Sequence, residues 1–350
     1  MNEATPKKPR PTIARRRGIA ADGSWVRGAA FADGQPTPFV VQPTVDGIAL
    51  DEWAKRDRPQ LESWLSEHRA LLFRGFPVQD VEAFQRFVMA ASDGQLLEYR
   101  DRTTPRTTEG DRIYTATVHP ADQRIFPHNE GTYWTRWAMR LFFCCLRKPA
   151  SGGQTPIADV RAVLARIPAA IRTRFEQRRF MLVRNYNDGF GLRWQEVFQT
   201  EDRAEVEQFC VTNRIEVEWK DGDRLRTRQV RPAVRMHPGT GEAVWFNHAA
   251  FYHHSTLEPT TREALLREFG EEGLPYNTYY GDGSPIDPAD VAEIRRAYEA
   301  EKVIFDWREG DVMLLDNMTF AHAREPFEGD RLVLVSMTDA VDGEACNLPQ

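Results

Sequence analysis

No stretch of this chain is apolar for long enough to span a membrane, cysteines are few, and positive charge is not in excess. Each absence removes a class of function. Without an apolar run of about 20 residues there is no membrane-spanning helix to propose. The 350 residues carry only four cysteines, two of them adjacent (Cys144 and Cys145), which is neither a disulfide framework nor a C-x-x-C zinc site. A net charge of −6, with both signs spread along the chain, argues against a dedicated nucleic-acid binder. No internal repeat and no βαβ alternation are present, which excludes solenoids and doubly wound sheets. Arg15 and Arg16 form a pair near the N-terminus, but no apolar segment follows them as an export signal requires. The expectation is a soluble, cytoplasmic, reduced protein with no membrane and no nucleic-acid partner.

What remains is an ordinary globular composition, 41% hydrophobic and 11% aromatic. Residues 1–20 are polar and basic and are expected to be a disordered arm; residues 21–350 are expected to form a single domain. Asp51 can cap a helix running to about His68, and Ala70 to Phe76 reads as a buried strand. A helix follows from about Val78 to Ala91. From about Leu96 strands take over. Ile113 to Val118 is rich in β-formers, and Met139 to Leu146 is apolar enough for a strand buried on both faces. Helical insertions are expected at about 159–177, 201–211 and 260–301. Ile215 to Trp219 alternates and can turn at Asp221-Gly222 into a hairpin. The last strands are expected at Val303 to Trp307, Asp311 to Leu315 and Arg331 to Met337. The fold class is therefore mostly β with helical insertions, the pattern of a jelly roll.

One stretch carries chemistry. His128-Asn129-Glu130 places an imidazole and a carboxylate at i and i+2, which share one side of an extended segment. With a second histidine they make the two-histidine, one-carboxylate set that leaves positions open on a non-haem Fe(II) centre. The spacing alone is weak, since a chain with 8 histidines is expected to contain about one such match by chance, and this one contains one. The candidate third ligand is His322, presented by a loop between the strand ending near Leu315 and the next one, which Arg331 begins. His253 and His254, in an aromatic segment, compete with it. His68, His119 and His237 read as structural. An arginine at position 331 suits bidentate capture of a carboxylate.

These residues resemble those of the taurine dioxygenase/TfdA family, in particular its SyrP-like branch of natural-product hydroxylases. The matching motifs are LLFRGFPV (71–78), TPRT (104–107), HNEGTYW (128–134), GGQTPIADVR (152–161), VWFN (244–247) and DNMTFAHAREPFEGDR (316–331). They stand in the family's order and cover nearly the whole chain after about residue 70. The resemblance implies a double-stranded β-helix core and an Fe(II)- and 2-oxoglutarate-dependent hydroxylase that consumes O2. It implies His128, Glu130 and His322 as iron ligands, with Arg331 and Thr155 on the distal carboxylate of 2-oxoglutarate. Arg106 and Arg324 match positions whose role is substrate contact or structure, and Tyr133, Trp134 and Phe251 are candidates to line the pocket.

Two details narrow the chemistry. Val335 stands where taurine dioxygenase has a second arginine for the substrate sulfonate, so a taurine-like substrate is not expected. Glu130 is retained where halogenases of the superfamily lose the carboxylate, so hydroxylation or a related oxidation is expected. For substrate, the resemblance points to an amino acid, or an aminoacyl or peptidyl group tethered to a carrier protein, in secondary-metabolite biosynthesis. Desaturation or epoxidation of a free small molecule with the same cofactors is the alternative. An iron-free jelly-roll binding protein is the non-enzyme alternative, and a protein or nucleic-acid demethylase is a further one.

Overall fold

The structure, a computed structural model, describes residues 24–32, 34–97, 108–110, 113–115, 119–186, 189 and 191–348. The expected basic arm and Arg106 lie outside the described residues. Among the described residues no helix is long and apolar enough to cross a membrane.

The chain opens with β1 (Val26–Ala29) and β2 (Phe39–Pro43). The helix expected from Asp51 to about His68 is two helices, α1 (Leu50–Arg56) and α2 (Arg58–His68). Pro59 explains the break. It has no N–H to give an interior turn, but it costs nothing in the first turn of α2. Asp51 is not the cap. Ala49 holds that position, and Asp51 lies in the first turn, 3.0 Å from Lys55 Nζ. β3 (Ala70–Phe73) follows, then α3 (Val81–Ala90), capped by Asp80. β4 (Thr108–Gly110) and β5 (Ile113–Thr115) come next.

The middle of the chain supplies β6 (Ile125–His128), the long β7 (Arg136–Arg147), β8 (Ser151–Gly152) and β9 (Ile157–Asp159). The helix expected over about 159–177 is again two, α4 (Val160–Arg166) and α5 (Ala169–Arg178), parted at Pro168. β10 (Phe180–Tyr186), α6 (Trp194–Phe198) and α7 (Arg203–Thr212) precede the expected hairpin, β11 (Glu216–Trp219) and β12 (Leu225–Arg231). Then come β13 (Val234–Met236), β14 (Ala243–Trp245), α8 (Ala249–Tyr252) and α9 (Pro259–Phe269). The insertion expected to be helical over about 260–301 also contains a strand between α9 and α10 (Pro288–Glu301): β15 (Tyr276–Tyr280), which pairs with β10.

The C-terminal strands are β16 (Lys302–Val303), β17 (Val312–Asp316), β18 (Phe320–Arg324), β19 (Phe327–Glu328) and β20 (Leu332–Asp342). Of the strand expected at Val303 to Trp307, only Val303 is in the sheet, where it follows Lys302 in β16. Phe305 and Trp307 instead turn their rings inward, and the Asp306 carbonyl accepts from Arg74. β18 corrects a second expectation: His322 sits in a strand, not a loop.

The strands form a double-stranded β-helix, the jelly-roll fold. An eight-stranded sheet runs β1-β2-β3-β17-β7-β20-β5-β4 and faces a four-stranded sheet, β16-β9-β18-β6. Their shared core holds Leu141, Phe143, Met313, Val333 and Val335 from the large sheet and Ile157, Ala158 and Phe320 from the small one. The other face of the large sheet turns Phe142, Cys144, Leu314 and Leu334 against Trp53, Leu61, Phe84 and Phe87 of α1–α3. β7 is thus buried on both faces, which is why its sequence is apolar without alternation. Its adjacent cysteines point to opposite cores. Cutting Phe142 or Phe143 back to alanine would cost about 3–5 kcal/mol. A further sheet, β11-β12-β10-β15, is built from the insertion between α5 and α10.

A candidate metal and co-substrate site in the small sheet

His128 ends β6 and His322 lies in mid-β18; the two strands pair antiparallel with these residues opposite each other. Register alone therefore brings together imidazoles 194 residues apart, with ring centroids 4.4 Å from each other. Glu130 follows in the turn after β6. Its Oε1 lies 3.9 Å from His128 Nε2 and 3.5 Å from His322 Nε2. Among the described residues these three form the group able to hold a metal ion, with one ligand atom each and all within 4.8 Å of one another. His253 and His254 are not part of it: their rings pack on each other, and His253 Nδ1 lies 2.7 Å from Ser255 Oγ. His237 bonds the Asp316 carboxylate at 2.8 Å, and His68 stacks on Phe39.

Neighbouring groups hold His128 and the Glu130 backbone in place. His128 Nδ1 lies 2.9 Å from the Phe126 carbonyl. A carbonyl can only accept, so Nδ1 carries the proton and Nε2 keeps its lone pair for a metal. Asn317, in the turn between β17 and β18, grips the Glu130 backbone. Its Oδ1 accepts from Glu130 N at 2.9 Å, and its Nδ2 donates to the Glu130 carbonyl at 3.0 Å and the Ala138 carbonyl at 2.8 Å. Asn129 Nδ2 returns a bond to the Asn317 carbonyl at 2.6 Å. Asp316 stabilises the same turn by accepting from Met318 N and Thr319 N. Gly131 has φ +71°, and a Cβ there would fall 2.5 Å from the Trp134 ring.

The electrostatics suit a cation. Burial pushes the Glu130 carboxyl up to about 8. A carboxylate enclosed without a permanent positive charge is costly, and a divalent ion between the imidazoles would reverse that cost. The ring of Phe251 lies 4.8 Å from His128, and that of Phe143 lies 4.9 Å from His322. Tyr133 meets His248, and Trp134 packs edge-on to Tyr133. His248 was not singled out from the sequence. It is buried, bonds Thr132 Oγ1 through Nδ1, stacks on Tyr252 and lies 5.7 Å from His128. Burial, then His128 and His322, holds its pKa well below the usual histidine value.

A second cluster has the character of an anion site. Arg331 donates from Nε to the Gly153 carbonyl at 3.0 Å and from Nη2 to Thr155 Oγ1 at 3.3 Å. Two of its five N–H groups are used there. Among the described residues no acidic side chain pairs with it, and burial lowers its pKa to about 10. Gly153 has φ +71°, and a Cβ there would fall 2.6 Å from Pro149 Cγ and crowd Arg331 Cδ at 3.1 Å. Arg324 is already engaged. Its guanidinium donates to the carbonyls of His119, Pro120 and Gln123 at 3.0, 2.6 and 2.8 Å.

Residues 32–338 match the family described as Taurine catabolism dioxygenase TauD, TfdA family. The chain is 37% identical over 311 residues to the dapdiamide synthesis protein DdaC of Enterobacter agglomerans, covering 89% of this chain and 94% of that protein. It is 31% identical over 327 residues to a clavaminate synthase-like protein of Arabidopsis thaliana, covering 87% and 94%. Among solved structures it is similar in fold to PvcB from Pseudomonas aeruginosa, at TM-score 0.53 and 18% identity over 90% of this chain and 91% of that one. PvcB is described as an Fe, alpha-ketoglutarate dependent oxygenase from an isonitrile synthetic pathway.

Proposed function

The chain belongs to the TauD/TfdA family and is an Fe(II)- and 2-oxoglutarate-dependent dioxygenase; from that premise we propose that it hydroxylates an unactivated C–H bond of an amino acid, free or tethered to a carrier protein, in natural-product biosynthesis. The observation that carries the reading is the convergence of His128, Glu130 and His322 on one point, within 4.8 Å. Those three side chains would hold the iron. Iron with 2-oxoglutarate and O2 supplies the oxidation, releasing succinate and carbon dioxide.

The rest is done by the chain. The Phe126 carbonyl holds His128 in the tautomer that can ligate. Asn317 fixes the carboxylate-bearing turn against the strand pair. Arg331 and Thr155 would take the far carboxylate of 2-oxoglutarate and so orient its reactive end. Phe251 and Phe143 keep water from the imidazole faces. Arg324 is held by carbonyls, so we assign it to the scaffold and not to substrate. The retained Glu130 supports oxygen chemistry over halogenation. The similarity to a dapdiamide synthesis protein supports a natural-product substrate.

The test is incubation with Fe(II), 2-oxoglutarate and a panel of free and carrier-loaded amino acids, reading succinate and product mass. A gain of one oxygen on a carrier-loaded amino acid is expected. Turnover of free amino acids alone would sink the tethered version. A loss of two hydrogens in place of that gain would identify desaturation.

A further inference from the structure

The Thr155 hydroxyl is set by more than Arg331. A hydroxyl has one proton to donate and two directions in which to accept. Thr155 Oγ1 accepts from Trp307 Nε1 at 2.9 Å and from Arg331 Nη2 at 3.3 Å, which fills both accepting directions. Its own proton is left for a third atom. Indole is a donor only, so Trp307 cannot reverse this bond.

Trp307 is held firmly. It is buried, with its ring edge-on to Phe305 at 5.2 Å. The loop carrying it is fastened at two points by Arg74, from the motif 71–78 that the iron site does not use. Arg74 Nη2 donates to the Asp306 carbonyl at 2.8 Å and to Asp311 Oδ2 at 2.7 Å, while Nε reaches Asp311 Oδ1 at 3.1 Å. Asp311 Oδ2 also accepts from Arg308 N at 2.8 Å. Gln154 Nε2 donates to Asp306 Oδ1 at 3.0 Å, tying the residue before Thr155 to the same loop.

We propose that Trp307 is a positioning residue for the co-substrate: its N–H fills one accepting direction of Thr155, committing the hydroxyl proton to a carboxylate oxygen of bound 2-oxoglutarate, and the Arg74–Asp311 pair holds the loop that supplies it. The proposal rests on the reading that Thr155 and Arg331 bind 2-oxoglutarate, and its test separates the two.

The experiment is calorimetric titration of the Mn(II)-loaded protein with N-oxalylglycine, an unreactive analogue of 2-oxoglutarate. Trp307→Phe keeps a ring and removes the N–H. Its affinity is expected to fall about three- to tenfold, the worth of one neutral hydrogen bond, with Mn(II) affinity unchanged. In a Thr155→Val background the same change should add nothing, because the partner is gone; fully additive losses would overturn the proposal. Arg331→Met tests the underlying reading. If it leaves N-oxalylglycine affinity intact, that reading fails. If it abolishes binding while Trp307→Phe leaves affinity untouched, the positioning proposal alone fails. Should Trp307→Phe not fold, Arg74→Lys is read in the same way. Weaker N-oxalylglycine binding at unchanged Mn(II) affinity supports the proposal, and unchanged binding of both overturns it.

Discussion

Arg74 and Arg331 make an instructive pair. Arg74 is buried, and the Asp311 carboxylate meets it at 2.7 Å while the Asp306 carbonyl takes a second bond. Arg331 is also largely enclosed, yet among the described residues its hydrogen bonds go to a carbonyl and a hydroxyl, and the ring of Phe327 lies beside it. The same contrast separates two carboxylates. Asp311 faces Arg74, whereas Glu130 faces two imidazoles and is pushed up to about 8 by burial. Enclosing a charge is costly unless it is compensated. Where the chain supplies the partner, the charge braces a loop. Glu130 and Arg331 face neutral groups instead, imidazoles in one case and a carbonyl and a hydroxyl in the other, where metal and co-substrate are proposed to bind.

The largest expected effect lies at the Glu130 side of the comparison. His322→Ala should reduce metal-dependent turnover to background, and anaerobic Fe(II) with 2-oxoglutarate should no longer give a visible charge-transfer band. A variant retaining that band would break the assignment of the site. Next comes the direct exchange of the two arginines. Arg74→Met strands Asp311 and should lower the stability measured by urea unfolding by about 3–5 kcal/mol. Arg331→Met strands no acid and should leave stability within about 1 kcal/mol, while weakening N-oxalylglycine binding by about a hundredfold or more through lost charge-assisted bonds. Equal destabilisation by both would dissolve the contrast.

A smaller effect is expected at Asn317, which is not one of the three candidate ligands but bonds the Glu130 backbone twice and ties it to the Ala138 carbonyl of β7. Asn317→Ala should cost about 10–100-fold in Mn(II) affinity, read by titration. The smallest effect extends the contrast to histidines. His237 has the Asp316 carboxylate beside it, whereas burial, and then neighbouring His254, lowers His253 to about 4. The neutral form of His253 is favoured in the fold. Its contribution is fully present above the unfolded value of 6.5 and is lost as pH falls toward about 4. Thermal melts should show that loss, with an upper limit of about 3 kcal/mol from this residue, and His253→Gln should flatten the slope.

The sequence was most readable where local rules act. The β7 run, the β11–β12 hairpin and α10 are legible because periodicity, turn residues and a proline in the first turn are short-range signals. His128 and Glu130 were legible as a pair because they are two residues apart. His322 could be named, but its setting could not: β18 contains Arg324 and small alanines, and it becomes a strand by pairing on both edges, with β6 and β9. The splits at Pro59 and Pro168 were visible in principle and were overridden by helical periodicity on either side. Trp307 read as a strand residue and Asn317 as part of the 316–331 motif, because neither carries its role in its neighbours along the chain.

By itself, then, the sequence determined the kinds of donor available, the order of the motifs and the retention of a carboxylate at Glu130, because these depend on residue type and on spacing over a few positions. Tertiary structure alone decided that His322 faces His128 from a paired strand, that Arg324 is held by loop carbonyls, and that Trp307 and Arg74 stand behind Thr155. Those outcomes depend on strand register and on contacts across 150 to 240 residues of chain. Over such separations sequence spacing carries no geometry, and only the packed sheets bring the partners within reach.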